Sequence, residues 1–186
     1  WGAFDGGDGA NSLINNVNGS FKDLPIEVFE SKYPLRILDY GVRQDSGGAG
    51  KYRGGNGTYR EYEVQADSDL FLWFERSVTT GWGIFGGGDG AKPNVIVQRP
   101  DDERREFLKV NGIKVGNGTI IKSLTGGGGG YGLAAERDPE AVRQDVIDGY
   151  VSIEHASDAY GVVITDSFEI DVAGTEKRRA AIRASV

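Results

Sequence analysis

DSGGAGKYRGGNG, residues 45–57, holds six glycines, two cations and no aliphatic side chain larger than alanine. Two further stretches, WGIFGGGDGAK (82–92) and TGGGGGYG (125–132), repeat the pattern. Each lies beside a run that reads as a strand, so the role of the glycines decides the fold. They could cradle a phosphate, hold calcium, form tight turns, or let one backbone pack closely on another. A Walker-type loop needs G-x-x-x-x-G-K-[ST]. Gly50 and Lys51 supply the GK, but Asp45 stands at the first glycine position and Tyr52 at the hydroxyl position. A dinucleotide fingerprint needs a helix after the glycine turn, to receive the pyrophosphate at its N-terminus. Here a strand follows. Tandem calcium-binding repeats are also excluded: DGGDG (5–9) and GGGDG (86–90) occur once each, far apart. What remains is positive φ and close backbone packing. On that reading Gly47, Gly48 and Gly50 turn the chain sharply through positive φ between the strands on either side, and Gly54 and Gly55 admit a neighbouring segment or subunit.

Composition narrows the class. The 186 residues suffice for one substantial core, or for a core plus an appendage. The 30 glycines are more than twice the usual share of about 7%. A net charge of −7 and a pI near 4.8 argue against nucleic acid or an anionic membrane as partner. No stretch approaches the roughly 18 apolar residues of a membrane span, and no leader is expected at the start. The absence of cysteine excludes disulfides and thiolate metal sites and fits the cytoplasm.

Outward from the glycines, the chain reads as β-rich with helices near both ends. Residues 1–23 are dense in Gly, Asn and Asp and read as loop. LPIEVFESKYP (24–34) reads as a short helix closed by Pro34. LRILDYGVR (35–43) reads as a strand. TYREYEVQA (58–66) and LFLWFERSV (70–78), either side of Asp67-Ser68-Asp69, read as a hairpin. Strands are also expected over 94–99, 105–110 and 118–124, with Asn111-Gly112 as a hairpin turn. After Gly132 the period changes. Asp138 caps a helix that starts at Pro139 and stops at Gly149, with Val142, Val146 and Ile147 as its buried stripe. Ser152 caps a second helix that ends at Gly161. GVVI (161–164) reads as a short strand, SFEIDV (167–172) follows it, and GTEKRRAAIRASV (174–186) reads as a terminal helix. Strands followed by small helices predict an α+β fold: short antiparallel strands carrying glycine loops over 1–132, and a small helical/strand region over 133–186 packed on the same core.

Residues with obvious chemistry are few. His155 is the only histidine, so a transition-metal site within the chain would need carboxylates for its other ligands. RPDDERRE (99–106) reads as a solvated turn. Trp73 and Trp82 read as packing residues. Arg76, at the end of an apolar strand and before a glycine loop, is the best-placed cation. It forms either a strand-end salt bridge or an anion or interface clamp, and in the clamp reading it pairs with a buried acceptor over Trp82. The binding or interface candidates are Gly47, Gly48, Lys51, Arg53, Arg76 and Trp82. No catalytic residue and no metal ligand emerges.

Five blocks in one order carry a family resemblance: IEVFESKYPLRI (26–37), DSGGAGKYRGGNGTYREYEV (45–64), ERSVTTGWGIFGG (75–87), TGGGGGYG (125–132) and ERDPEAVRQDVIDGYVSIEHASDAYGVV (136–163). Together they resemble the C-terminal portion of the hydantoinase B subunits, found in ATP-dependent hydantoinases, 5-oxoprolinases, and acetone and acetophenone carboxylases. The resemblance runs from about Trp1 to Val163. It implies a hydantoinase A-type partner that hydrolyses ATP to phosphorylate a carbonyl oxygen. The B-type component then takes part in hydrolysing or carboxylating the activated species. The family's metal-associated motif lies in the N-terminal half of B-type subunits, so ATP and a divalent metal are implied for other parts of the complex and no cofactor for this chain. The chain then looks like a split-gene subunit, a cleavage product or one piece of a longer polypeptide. It would be mainly structural and interface-forming within a cytoplasmic hetero-oligomer that includes the remaining B-type part. The alternative is a self-sufficient small-molecule or anion binding module built on the glycine loops.

Overall fold

The computed structural model describes residues 1–13, 22–101 and 104–184. Parts of the expected opening loop (14–21), of the turn over 99–106 (102–103) and of the terminal helix (185–186) lie outside the described residues. The order is helix α1 (Ile26–Lys32), strands β1 (Leu35–Val42), β2 (Thr58–Val64), β3 (Ser68–Trp73), β4 (Asn94–Gln98), β5 (Arg104–Phe107), β6 (Lys109–Val115) and β7 (Ile120–Leu124). Helices α2 (Pro139–Ile147), α3 (Ile153–Tyr160) and α4 (Val172–Ala184) follow. All strand pairs within the two sheets are antiparallel. One sheet has the order β1-β2-β7-β4-β5 and the other pairs β3 with β6. The α+β class is as expected.

Alternation places the core. Val95 and Val97 on β4 are buried, and in register Tyr62, Ile121 and Val97 lie across three strands. Ile96, Lys122 and Glu61 share the next row, where Lys122 and Glu61 form an ion pair at 3.2 Å. Val64, Leu72, Val95, Val97, Val115 and Ile121 make one buried cluster.

The strands are close to those expected, but their pairing is not. TYREYEV and the strand after it do not form a hairpin: β2 lies between β1 and β7, and β3 belongs to the other sheet. Val64 on β2 and Leu72 on β3 still reach one buried cluster, although their strands belong to different sheets. The expected strand 105–110 is divided at Leu108, where the chain passes from one sheet to the other. Asn111-Gly112 makes no turn. It lies inside β6, where the register slips between Leu70–Ile113 and Phe71–Asn111. Gly112, at φ 78°, is the extra residue of that bulge. A positive-φ signal fits a bulge as well as a turn.

The C-terminal helices follow their caps. The Asp138 carboxylate accepts the Glu140 N–H at 3.0 Å, and Ser152 Oγ accepts the His155 N–H at 3.0 Å. Gly149 (φ 76°) and Gly161 (φ 65°) stop α2 and α3 in the left-handed region. Val142 and Val146 are buried with Val151, Ala156, Tyr160, Val162 and Ile164 in a second cluster, but Ile147 points outward. In place of a GVVI strand there is a single bridge between Ile164 and Ile170. The terminal helix starts two residues early, at Val172.

The glycine clusters pack on one another. Residues 126–131 run through the middle of five other segments: 1–3, 46–49, 53–57, 81–84 and 87–91. The Gly127 N–H donates to the Ala91 carbonyl at 3.0 Å, Gly128 N–H to Gly55 at 2.9 Å and Gly130 N–H to Gly88 at 2.9 Å. In return the Gly128, Gly129 and Gly130 carbonyls accept from Gly48 (2.8 Å), Ala3 (2.9 Å) and Ile84 (3.0 Å). The contacts repeat every third residue. A Cβ on Gly127 or Gly130 would collide with the carbonyls of Ser46 or Ala49, themselves three apart, and one on Gly87 or Gly90 with those of Gly130 or Gly127. A contact period of three, with hydrogen bonds running between segments, is the period at which polyproline-II chains pack side by side in a bundle. As in collagen, only glycine leaves room at so crowded an axis.

This corrects the expected role of the first cluster. The chain does double back, with the Gly54 N–H on the Gly48 carbonyl at 2.9 Å. Yet none of Gly47, Gly48 and Gly50 has positive φ; the left-handed residue is Asp45, at φ 58°. Close approach, not backbone handedness, excludes a side chain at Gly48. A Cβ there would sit 2.7 Å from the Gly130 nitrogen, below the roughly 3.5 Å at which carbon contacts become favourable.

Candidate functional site

The sequence candidates separate into three places. Gly47 and Gly48 lie inside the bundle, where Gly47 N–H donates to Asn56 Oδ1 at 2.6 Å. Lys51 and Tyr52 lie on its outside. Arg53 turns inward to a buried charge centre. Arg76 and Trp82 meet at the surface.

The charge centre links the bundle to α2. Arg53 Nε donates to Asp145 Oδ1 at 3.2 Å and its Nη1 to Asn11 Oδ1 at 3.0 Å. Arg137 donates to both Asp8 oxygens at 2.7 Å and to Asp145 Oδ2 at 2.8 Å. Two guanidiniums thus face two carboxylates. Burial opposes the Asp8 charge, but the Arg137 hydrogen bond and the nearby Arg137 and Arg53 charges outweigh it and hold Asp8 below its usual pKa. Burial also opposes the Arg137 charge, and the Asp8 hydrogen bond with the Asp145 and Asp8 charges still raises its pKa. Tyr160 closes the centre, with its hydroxyl pKa pushed up by burial. Tyr160 OH and Arg137 Nε are buried without a hydrogen-bond partner. Each guanidinium is paired with a carboxylate, so the centre acts as a strut between the bundle and α2. Asp8, Arg137 and Asp145 carry no signal in the sequence, because their partners lie up to 129 residues apart.

Arg76 stacks with Trp82 as the clamp reading expects, but among the described residues it has no hydrogen bond or ion pair to a buried acceptor. Its Nη1 donates to the exposed Thr80 carbonyl at 3.4 Å, and its guanidinium lies 5.6 Å from the Trp82 ring. Trp73 and Trp82, expected as packing residues, are 86% and 65% exposed. His155 is half-buried against Tyr160, edge to face at 6.0 Å.

The bundle's amides are committed. Gly48, Gly54, Gly55, Gly127, Gly128 and Gly130 N–H groups all donate to carbonyls of other segments. A phosphate nest needs such groups free and convergent. Arg53 is likewise taken, by Asp145. The residues present do not fit a phosphate nest of the kind that holds a nucleotide. Among the described residues there is no group of three or more His, Asp or Glu side chains placed to hold a metal ion. No helix among them is long and apolar enough to cross a membrane.

Residues 1–134, which contain the whole bundle, match the family model described as hydantoinase B/oxoprolinase. The chain belongs to this family. The B subunit of a putative D-/L-hydantoinase from Pseudomonas sp. (strain NS671) is 36% identical over 94% of this chain and 29% of its own length. The fold is that of a nucleotide-free acetone carboxylase structure, at TM-score 0.82 and 24% identity over 96% of this chain and 29% of the other. The ATP-dependent caprolactamase of Pseudomonas jessenii aligns at TM-score 0.70 and 27% identity, over 93% of this chain and 32% of that one. The chain therefore spans about three-tenths of the length of these relatives.

Proposed function

We propose that this hydantoinase B-family chain is the C-terminal subunit or fragment of the B-type component of a cytoplasmic, multi-subunit, ATP-dependent enzyme. That enzyme carboxylates or hydrolyses a carbonyl substrate, a ketone or a cyclic amide. The chain's own part is structural. It gives the A-type subunit and the remaining B-type part a rigid surface on which to assemble, while ATP and a divalent metal are held elsewhere in the complex.

One observation carries this reading: within the region that matches the family, the three glycine clusters bond to one another, with the N–H groups of Gly48, Gly54, Gly55, Gly127, Gly128 and Gly130 all donating to carbonyls of other segments. Such a structure supports rigid surfaces. The relatives' names supply the ATP dependence and the two reaction classes, and the designation of the hydantoinase relative as one subunit supports a multi-subunit setting.

Co-production with the A-type subunit and the remaining B-type part tests it. Size exclusion with light scattering should show one hetero-oligomer, with an interface well above the ~1,600 Å² of a standard complex. A 20.0 kDa monomer persisting at micromolar concentration beside both components would contradict the proposal.

A further inference from the structure

The second glycine cluster contains a turn that its sequence does not suit. The Gly87 N–H donates to the Ile84 carbonyl at 3.0 Å, with Phe85 at φ 53° and Gly86 at φ 87° between them. Two central residues with positive φ define a type I′ turn, which asparagine, aspartate and glycine adopt readily. Phenylalanine does so only under strain.

The chain itself gives Phe85 little in return. Its ring is 75% exposed and touches Tyr131, centroids 5.1 Å apart. Around it stand exposed Ile84 and Leu133, the latter packed beside Gly86. Tyr131 continues the face to Tyr52 at 6.2 Å, over which Lys51 Nζ lies at 5.8 Å. Among the described residues no carboxylate pairs with Lys51, in a chain of net charge −7. A strained aromatic facing solvent is characteristic of a binding surface, where the bound state repays the strain. Aromatic anchors of this kind dominate the energetics of protein interfaces.

We infer that this face seats the remaining part of the B-type polypeptide, with Phe85 entering an apolar pocket and a carboxylate at its rim meeting Lys51. The inference rests on the proposed function. The occupant follows from length and chemistry. The relatives carry this region as 29–32% of a single chain, so more than twice its length of polypeptide accompanies it. A permanent interface of that kind is apolar and aromatic at its centre. The unpaired cation calls for an acidic rim.

The test uses the chain and the remaining B-type part as two pieces, with affinity read by biolayer interferometry. Phe85→Asn should weaken binding at least 30-fold while the free chain melts at the same or a higher temperature, because asparagine accepts the left-handed turn. Phe85→Gly should behave alike. Lys51→Glu should weaken binding about tenfold. Phe71→Ser, on the exposed side of β3, should change affinity less than twofold. The inference is overturned by Phe85→Asn and Phe85→Gly that bind within twofold of wild type. It is equally overturned if they keep the B-type part and lose the A-type subunit. Wild-type chain that joins neither component contradicts the proposed function itself, before any variant is compared.

Discussion

Gly127→Ala should abolish the fold. A Cβ on Gly127 would lie under 3.0 Å from the Ser46 carbonyl oxygen, a backbone atom that cannot swing aside. The displaced strand of the bundle also carries the Ala91 N–H bond to Ser46 and the Gly127 N–H bond to Ala91. One methyl group therefore separates three segments. The expected cost is comparable with a domain's whole stability, about 5–15 kcal/mol. Gly149→Ala is the control. Gly149 has φ 76° but nothing within 4 Å of its would-be Cβ, so alanine there costs only the left-handed penalty of about 1–2 kcal/mol. Circular dichroism on the two purified variants gives the ranking. Gly127→Ala that folds and melts near Gly149→Ala would show that the bundle yields easily.

Asp145→Asn should be the most damaging single substitution outside the glycines. It leaves two buried guanidiniums facing one carboxylate. Removing one partner of a buried pair costs about 3–5 kcal/mol, because the other charges stay desolvated. For a chain of this size that is a drop of roughly 10 °C in Tm. Asp158→Asn makes the contrast. Its pair with Arg178 has the same 2.8 Å length as Asp145 with Arg137, but Asp158 is 63% exposed against 9% for Asp145. Exposed pairs contribute about 0–1 kcal/mol. Equal melting shifts in the two variants, followed by thermal denaturation, would deny the centre its role as a strut.

What can be read in the sequence depends on the range of the force that shapes each element. Helices α2 and α3 are legible because their signals are local: Asp138 before Pro139, Ser152 three residues before His155, Gly149 and Gly161 at the ends. Strand positions are legible from alternation, but partners are not. Nothing near Val64 says that it shares a buried cluster with Leu72 of the other sheet. The glycine clusters announce themselves by composition and conceal their purpose, since a glycine at positive φ and a glycine against a carbonyl look alike in one dimension. The period of three exists only between segments. Arg53 stands out in the sequence as a binding or interface candidate, but its partner Asp145 lies 92 residues away. The family is legible because five blocks agree in order, and that agreement involves no pairing at all. Phe85 leaves a faint trace: a phenylalanine between Ile84 and three glycines has no packing reason in its own segment.

Amide hydrogen exchange on the wild-type chain tests the bundle most directly. If the three clusters bond to one another, the amides of Gly48, Gly54, Gly127, Gly128 and Gly130 exchange only through global opening. Their protection then matches that of Ile121 in the centre of the five-stranded sheet. If Gly127, Gly128 and Gly130 exchange at the rate of an open loop while Ile121 stays protected, the clusters are loops, and a ligand-cradling role returns.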